Sequence, residues 1–214
     1  MLKKLLELIF PPKCAFCHRL LEGDEENICR ECCRTLPFTG AKAEFKGEFF
    51  DACFAPLYYR GTVRTAVLRF KFRRGKHLAR CFAGLMEDCL RDNMPCAPDV
   101  ITWVPVSAKR LKKRGYDQSR LLAEELAERL GMSAVPCLER KRDTVAQSSL
   151  KGEEKRRANV LDAFAVSSAD TVAGRRILLV DDVVTTGSTL AECSRELLMA
   201  GADRVFCLTL ARRA

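Results

Sequence analysis

A short apolar run that leads directly into acidic, hydroxyl-bearing and glycine residues places the strongest constraint on how this chain folds. Residues 177–180 read Ile-Leu-Leu-Val, and residues 181–189 read Asp-Asp-Val-Val-Thr-Thr-Gly-Ser-Thr before a segment of helical periodicity. An apolar run without alternation is typical of a strand that is buried on both faces of a parallel sheet. The segment therefore predicts an α/β fold, in which ligands bind beyond the carboxyl ends of the strands.

The residue types after this strand suit a ribose and a phosphate group. Asp181 and Asp182 can accept hydrogen bonds from vicinal hydroxyls or hold Mg²⁺ through water. Residues 185–189 offer backbone N–H groups and hydroxyls at a helix N-terminus, where phosphates bind readily, and Gly187 lets the backbone approach closely. A turn that only caps the helix is the alternative, but it needs one such residue rather than seven of nine. Neither G-x-x-x-x-G-K-[ST] nor G-x-G-x-x-G is present.

The chain from Asp51 onward alternates between strand-like and helix-like segments, which predicts right-handed crossovers and a mostly parallel sheet. The predicted strands are residues 51–59, 100–106, 135–138, 163–166, 176–180 and 204–210, and the predicted helices are residues 63–70, 78–90, 118–130 and 189–200. Residues 140–159 are basic and predict an exposed loop with a helical turn. We expect a small N-terminal region at residues 1–49, ending in a polar linker (residues 40–48), and a larger domain at residues 50–214.

Two Cys-x-x-Cys pairs, Cys14/Cys17 and Cys29/Cys32, predict a zinc site in the N-terminal region. Eleven residues separate the pairs, and each short spacer lets two thiolates converge on one ion. Four thiolates complete a tetrahedron and leave no open position, so the zinc is expected to be structural. Cys33 and His18 are alternative ligands, but the x-x spacing favours Cys32 and the four cysteines complete the set.

The start of the chain does not predict export. Residues 1–10 are short, carry Glu7 and run into Pro11-Pro12, unlike a signal peptide, and no apolar run approaches the ~20 residues that span a bilayer. The apolar residues of this segment fall on one helical face, so we expect a short docking helix, with a membrane-surface helix as the alternative. We therefore expect a cytoplasmic protein whose cysteines are thiols or metal ligands.

The run ILLVDDVVTTGST resembles the phosphoribosyl-pyrophosphate (PRPP) signature of type I phosphoribosyltransferases. Over nearly its whole length the chain resembles the ComF family, in which a four-cysteine zinc module precedes a phosphoribosyltransferase domain. Three further segments carry this resemblance, namely FPPKCAFC, VPVSAKRLKKRGYDQS and VAQSSLKGEEKRRANVLDAF. The implied fold is a type I phosphoribosyltransferase-like parallel sheet flanked by helices, with a small N-terminal zinc-binding module. Related sequences more often carry Asn where this chain has Asp117, so no specific role is expected there.

The resemblance also implies roles for individual residues. Asp181 and Asp182 are the implied catalytic pair on the ribose hydroxyls, and the 5′-phosphate would be held by Thr185, Thr186, Gly187, Ser188 and Thr189. The loop after residues 100–106 would bind pyrophosphate with Mg²⁺ through Lys109, Arg110 and Arg114, a surface helix start being the alternative. Residues 140–159 correspond to a hood over the substrate, in which Gln147, Arg156 and Asn159 match the family pattern, a solvated loop being the alternative. Lys71 and Arg73 are weaker phosphate candidates.

Three functions remain open, and the first two can both hold. The first is a phosphoribosyltransferase, a pentosyl-transferring enzyme that displaces pyrophosphate from ribose C1; the sequence does not identify its acceptor. The second, which the ComF resemblance implies, is an accessory protein of DNA uptake in natural transformation. It would bind single-stranded DNA beside a partner helicase and carry a vestigial transferase site. The 37 Lys and Arg residues against 28 Asp and Glu give +9, which favours anionic partners. A redox or metal-relay protein is a third, weaker possibility.

Overall fold

The computed structural model describes residues 11–72, 75–142 and 160–213. The helices in these ranges are α1 (Arg30–Thr35), α2 (Gly61–Phe72), α3 (Leu78–Asn93), α4 (Ala108–Arg114), α5 (Gln118–Arg129), α6 (Ala169–Val172) and α7 (Ser188–Met199). The strands are β1 (Glu44–Gly47), β2 (Phe50–Phe54), β3 (Leu57–Tyr58), β4 (Val100–Trp103), β5 (Leu138–Arg140), β6 (Phe164–Val166), β7 (Arg176–Val184) and β8 (Arg204–Arg212). A 3₁₀ turn covers Gly40–Lys42.

The main sheet has the order β1-β2-β8-β7-β4, and β3 pairs with β8 beyond the end of β2. Only the β1–β2 pair is antiparallel, and the other pairs are parallel. The predicted α/β fold with a mostly parallel sheet is therefore confirmed. β7 lies between β4 and β8. The residues at its carboxyl end therefore lie in the middle of the sheet edge at which ligands of such folds bind.

Side chains of the central strands alternate between two cores, one on each face of the sheet. Leu178 and Val180 of β7 pack with α2, α3, α5 and the cysteine-rich N-terminal region. Ile177 and Leu179 face the opposite side and pack with α7 and with the two-stranded antiparallel sheet of β5 and β6. Burial on both faces explains why the sequence shows a continuous apolar run here instead of an alternating one.

Several element boundaries differ from the sequence predictions. β7 continues through both aspartates to Val184 instead of ending at Val180, because it pairs with β8 as far as Arg212. The strand predicted at residues 51–59 is divided into β2 and β3 around Pro56, which lacks an N–H group for a ladder. Residues 40–48, predicted as a linker, contain β1. Residues 107–110, predicted as a loop with a surface helix start as the alternative, are the cap and first turn of α4.

The N-terminal region packs directly on the larger domain. The ring of Phe16, 1% exposed, lies 5.6 Å from the ring of Phe82 on α3. Nη2 of Arg69 on α2 donates to the carbonyl oxygen of Phe16 at 2.9 Å and to that of Ala15. The two regions therefore share one hydrophobic core.

Among the residues described, no helix combines the length and apolar character that a membrane crossing requires. The docking helix predicted at residues 1–10 lies outside the described residues.

Candidate functional site

A cleft of about 210 Å³ lies at the carboxyl ends of β4 and β7. It is lined by the ends of both strands, by residues of α4, by the first turns of α5 and α7, and by single residues from the ends of α2 and β5 and from the position after β3. The sequence predicted that the residues after these two strands would meet, and the cleft contains both sets.

The two carboxylates of the cleft have different partners. Oδ1 of Asp182 lies 2.8 Å from Nζ of Lys71, which reaches in from the last turn of α2. Oδ1 of Asp181 accepts hydrogen bonds of 2.8 Å from the hydroxyl of Ser119 and from the backbone N–H of Asp182. Asp182 is 7% exposed. The pair thus presents carboxylate oxygens to the cleft, with one ammonium group beside them.

Burial and, after it, the neighbouring charge of Asp182 raise the pKa of Asp181 from its ordinary value of 3.8 to about 7. The hydrogen bond from Ser119 and the charge of Lys71 oppose this rise. A ligand that donates hydrogen bonds to Asp181 would favour the ionised carboxylate and lower its pKa again. The site is therefore electrostatically suited to a polyhydroxyl ligand or a cation.

The segment between β7 and α7 forms a tight turn beside the aspartates. Gly187 has φ 79°, in the left-handed region that glycine adopts most easily, and α7 begins at the next residue. The hydroxyls of Thr186 and Ser188 lie 2.9 Å apart. Residues 185–189 all line the cleft, so the N-terminal end of α7 faces the same space as the carboxylates.

The three basic residues predicted for a pyrophosphate loop lie on α4, whose N-terminus is capped by Ser107. Arg110 and Arg114 line the cleft, and Arg114 donates to Oε1 of Gln118 at 2.6 Å and lies 5.0 Å from the Phe72 ring centre. Lys109 is exposed and is not part of the cleft wall. The structure therefore brings two of the three side chains together with the aspartates.

Asp117 has a clear structural position, although the sequence suggested no specific role for it. Its Oδ2 accepts from the backbone N–H of Val106 at 2.9 Å, and its Oδ1 accepts from the N–H of Arg120 at 3.2 Å as the N-cap of α5. Burial raises the pKa of Asp117. The side chain ties the segment after β4 to the start of α5, which carries Ser119.

Sequence reasoning missed Ser119 and Arg140, and it ranked Lys71 as weak. Ser119 lies within the RGYDQS segment that supported the family resemblance, so its position was a usable signal. Arg140 lies at the end of β5, where its Nη1 donates to the carbonyl of Pro105 at 3.4 Å. Of the predicted hood, residues 143–159 lie outside the described residues, including Gln147, Arg156 and Asn159, and so does Arg73.

Sulfur atoms of Cys14, Cys17, Cys29 and Cys32 lie within 4.8 Å of one another. Four thiolates at about 2.3 Å from a tetrahedral zinc ion would be about 3.8 Å apart, and the sulfurs of Cys17 and Cys29 are separated by 3.6 Å. Backbone N–H groups of Cys29 and Cys32 point at the sulfurs of Cys14 and Cys29, at 3.4 and 3.3 Å. Cys33 is exposed and is not a member of the cluster. The donor set fits a structural zinc ion.

The cluster also has a local source of positive charge. Burial opposes ionisation of Cys29, but the hydrogen bond from the Cys32 backbone and the nearby Arg19 guanidinium lower the pKa of this thiol to about 6. An ionised thiolate is the form that binds metal.

Two family models match the chain, one for each region. The phosphoribosyl transferase domain matches residues 117–214, and the double zinc ribbon domain matches residues 5–43. The first match covers the aspartates, the segment after them and Ser119. The second covers all four clustered cysteines.

Curated proteins with similar sequences match nearly the whole chain. Competence protein F of Haemophilus influenzae is 28% identical over 222 residues, which cover 94% of this chain and 96% of that protein. DNA utilization protein YhgH of Escherichia coli O157:H7 is 40% identical over 207 residues, covering 91% and 88%. Competence protein ComFC of Streptococcus pneumoniae is 28% identical over 205 residues, covering 93% and 87%. With a phosphoribosyl transferase domain behind a zinc ribbon and this similarity along the chain, the protein belongs to the ComF family.

Proposed function

We propose that the protein binds PRPP with Mg²⁺ in the cleft at the end of β7 and transfers its phosphoribosyl group. The observation that carries this proposal is the placement of Asp181 and Asp182 beside the N-terminal end of α7, in a cleft that is also lined by Arg110 and Arg114 of the basic helix α4. A ribose between a phosphate cradle and a pyrophosphate-binding helix would present its two free hydroxyls to the two carboxylates.

Each part of the ligand has a complementary part of the cleft. The backbone N–H groups and hydroxyls of Thr185, Thr186, Gly187, Ser188 and Thr189 would hold the 5′-phosphate. Arg110 and Arg114 would bind the pyrophosphate as it gains charge, and the exposed Lys109 would add long-range attraction. Gln147, Arg156 and Asn159 are proposed hood residues on the resemblance alone.

The proposed reaction breaks the bond between ribose C1 and the pyrophosphate oxygen and forms a bond from C1 to a nucleophile, which loses its proton. Positive charge develops on the ribose in a dissociative transition state, and the carboxylates of Asp181 and Asp182 would stabilise it through the hydroxyls. Mg²⁺, bound with the pyrophosphate, would supply neutralisation of the leaving group. The carboxylate oxygens in the cleft are donors that this cation accepts.

Isothermal titration with PRPP and MgCl₂ tests this function. We expect micromolar affinity for the wild type and at least a 30-fold loss in the Asp181→Asn/Asp182→Asn variant, because two hydrogen-bond acceptors of the ribose are weakened. Asp170→Asn/Asp203→Asn is the matched control, since it removes the same charge from exposed positions. Equal affinity in the two double variants, or no wild-type binding, would reject the proposal.

A role in DNA uptake or DNA utilization is a second candidate function. It is favoured by the printed names of the relatives, two competence proteins and a DNA utilization protein, and by the net charge of +9. In this role a single strand of DNA would bind Lys and Arg residues on the surface of the protein, beside a helicase partner, while PRPP occupies the cleft. The proposed location is the cytoplasm.

Fluorescence anisotropy with a labelled single strand tests the second function. We expect an affinity that falls steeply between 50 and 200 mM salt, since several phosphates are neutralised. A duplex of the same length is the control. Absence of binding at 50 mM salt would leave PRPP chemistry as the sole proposed function.

A further inference from the structure

The last turn of α2 contacts the zinc module on one side and the cleft on the other. Arg69 donates to the carbonyl oxygens of Ala15 and Phe16, which lie between the zinc ligands Cys14 and Cys17. Lys71 reaches Asp182 at 2.8 Å. Positions two apart on a helix differ by about 200°, so these two side chains leave opposite sides of the same turn.

The residue between them fixes the turn in the core. The ring of Phe70 lies 5.5 Å from the ring of Phe82 in an edge contact, and Phe82 also packs on Phe16. The hydroxyl of Tyr116 donates to the carbonyl oxygen of Phe70. A Cβ atom on Gly75 would lie 2.9 Å from the carbonyl oxygen of Arg69, so the chain after α2 also packs tightly against this turn.

We propose that the zinc module is an integral part of the ligand site, because Arg69 holds the last turn of α2 where Lys71 meets Asp182. Arg69 is a positioning residue: it lies outside the cleft wall and acts through Lys71. The acceptors of Arg69 are carbonyl oxygens in the knuckle, the turn of residues 14–17 between two zinc ligands. Their positions therefore depend on the folded zinc site. This inference rests on the proposed PRPP site and makes zinc a structural requirement for full affinity.

The proposal differs from what the sequence alone suggests. From the sequence alone we expect that Cys14→Ser unfolds residues 10–36 without abolishing PRPP binding. The shared core and the Arg69 hydrogen bonds instead connect the module to the wall of the cleft. If the knuckle lost its fold, both acceptors of Arg69 and one side of the packing around Phe70 would be lost. Lys71 would then no longer be held against Asp182.

A double-mutant cycle on PRPP affinity tests this connection. We expect Lys71→Met to weaken binding about 30-fold and Arg69→Met about tenfold, from one lost charged contact in each case. The double variant is expected to bind no more weakly than Lys71→Met alone, because Arg69 acts through Lys71. Arg69→Lys, which keeps a donor, should recover part of the loss. Arg64→Met, exposed on the same helix, is the control.

Zinc content and hydrogen exchange separate this inference from the proposed function. Arg69→Met should keep one zinc per chain and should accelerate exchange at residues 181–184 relative to Arg64→Met. Two results would overturn the inference. One is a double variant in which the losses of PRPP affinity of the two single variants multiply. The other is an exchange rate at residues 181–184 of Arg69→Met that equals the wild-type rate. The exchange measurement needs no ligand. If the wild type fails to bind PRPP, only the proposed function is rejected, and the exchange result still tests the inference.

Discussion

The zinc module and the cleft differ in where their geometry comes from. Four cysteines within 19 consecutive positions, residues 14–32, form the zinc cluster. The cleft is built from residues that are distant in sequence, such as Lys71 on α2, Ser119 on α5 and Asp181 on β7. Local spacing determines the first site, and tertiary packing determines the second. The zinc module, which is determined locally, can therefore serve as a rigid support for the cleft, which is not.

The largest effect is expected from removing a zinc ligand. Cys29→Ser should lower the zinc content from one per chain to near zero and destabilise the protein by about 4 kcal/mol or more, since metal binding contributes directly to folding. Metal analysis and urea unfolding measure the two effects. Cys33→Ser, adjacent to the cluster but outside it, is the control and should keep the zinc. Zinc loss in the control would show that the ligand set is wrong.

The contact between the two regions is tested by Phe16→Ala. This ring is buried against Phe82, so its removal should cost about 3 kcal/mol through lost burial and a cavity. Zinc content should remain at one per chain, which separates docking from metal binding. Leu20, 49% exposed in the same module, is the control position, and Leu20→Ala should cost less than ~0.5 kcal/mol. Equal costs for the two variants would mean that the regions do not share a core.

The electrostatics of the cleft predict a pH-dependent stability. Burial and Asp182 raise the pKa of Asp181 from 3.8 to about 7, so between these values the folded protein holds a proton that the unfolded chain releases. The contribution of Asp181 to wild-type stability should therefore fall as pH rises from about 4 to 7. Asp181→Asn removes this penalty and should stabilise the protein by about 1–2 kcal/mol at pH 8, with little gain at pH 4.

Urea unfolding at several pH values measures this difference. Asp170→Asn, at an exposed position, is the control and should show no such window. A constant gain for Asp181→Asn across the pH range would contradict the assigned environment of Asp181.

The smallest effect is expected within the basic helix α4. Lys109 is exposed and outside the cleft wall, whereas Arg110 lines the cleft. Lys109→Ala should weaken PRPP binding less than about twofold, because a screened surface charge contributes little. Arg110→Ala should weaken it about tenfold through a lost charged contact. Titration of both variants with PRPP at 150 mM salt tests this ranking. A larger loss of affinity for Lys109→Ala than for Arg110→Ala would contradict the position of Arg110, rather than Lys109, in the cleft wall.

The sequence predicted the fold class and the zinc ligands because both depend on local patterns. The run Ile177–Val180 indicated a buried strand, and the paired Cys-x-x-Cys spacers indicated one metal ion. The bounds of β7 were harder to predict, because its extension to Val184 depends on pairing with β8. The partnership of Lys71 with Asp182 could not be predicted, since 111 positions separate the two residues in the sequence and only tertiary packing brings them together.

The binding mode of PRPP is best tested by a crystal structure of the protein soaked with PRPP and MgCl₂. We expect ribose hydroxyls within hydrogen-bond distance of Asp181 and Asp182, the 5′-phosphate at residues 185–189 and the pyrophosphate facing Arg110 and Arg114. Lys71 should remain in the cleft wall, with Arg69 on the carbonyl oxygens of Ala15 and Phe16. PRPP bound elsewhere, or an empty cleft at millimolar PRPP, would show that the cleft is not the PRPP site.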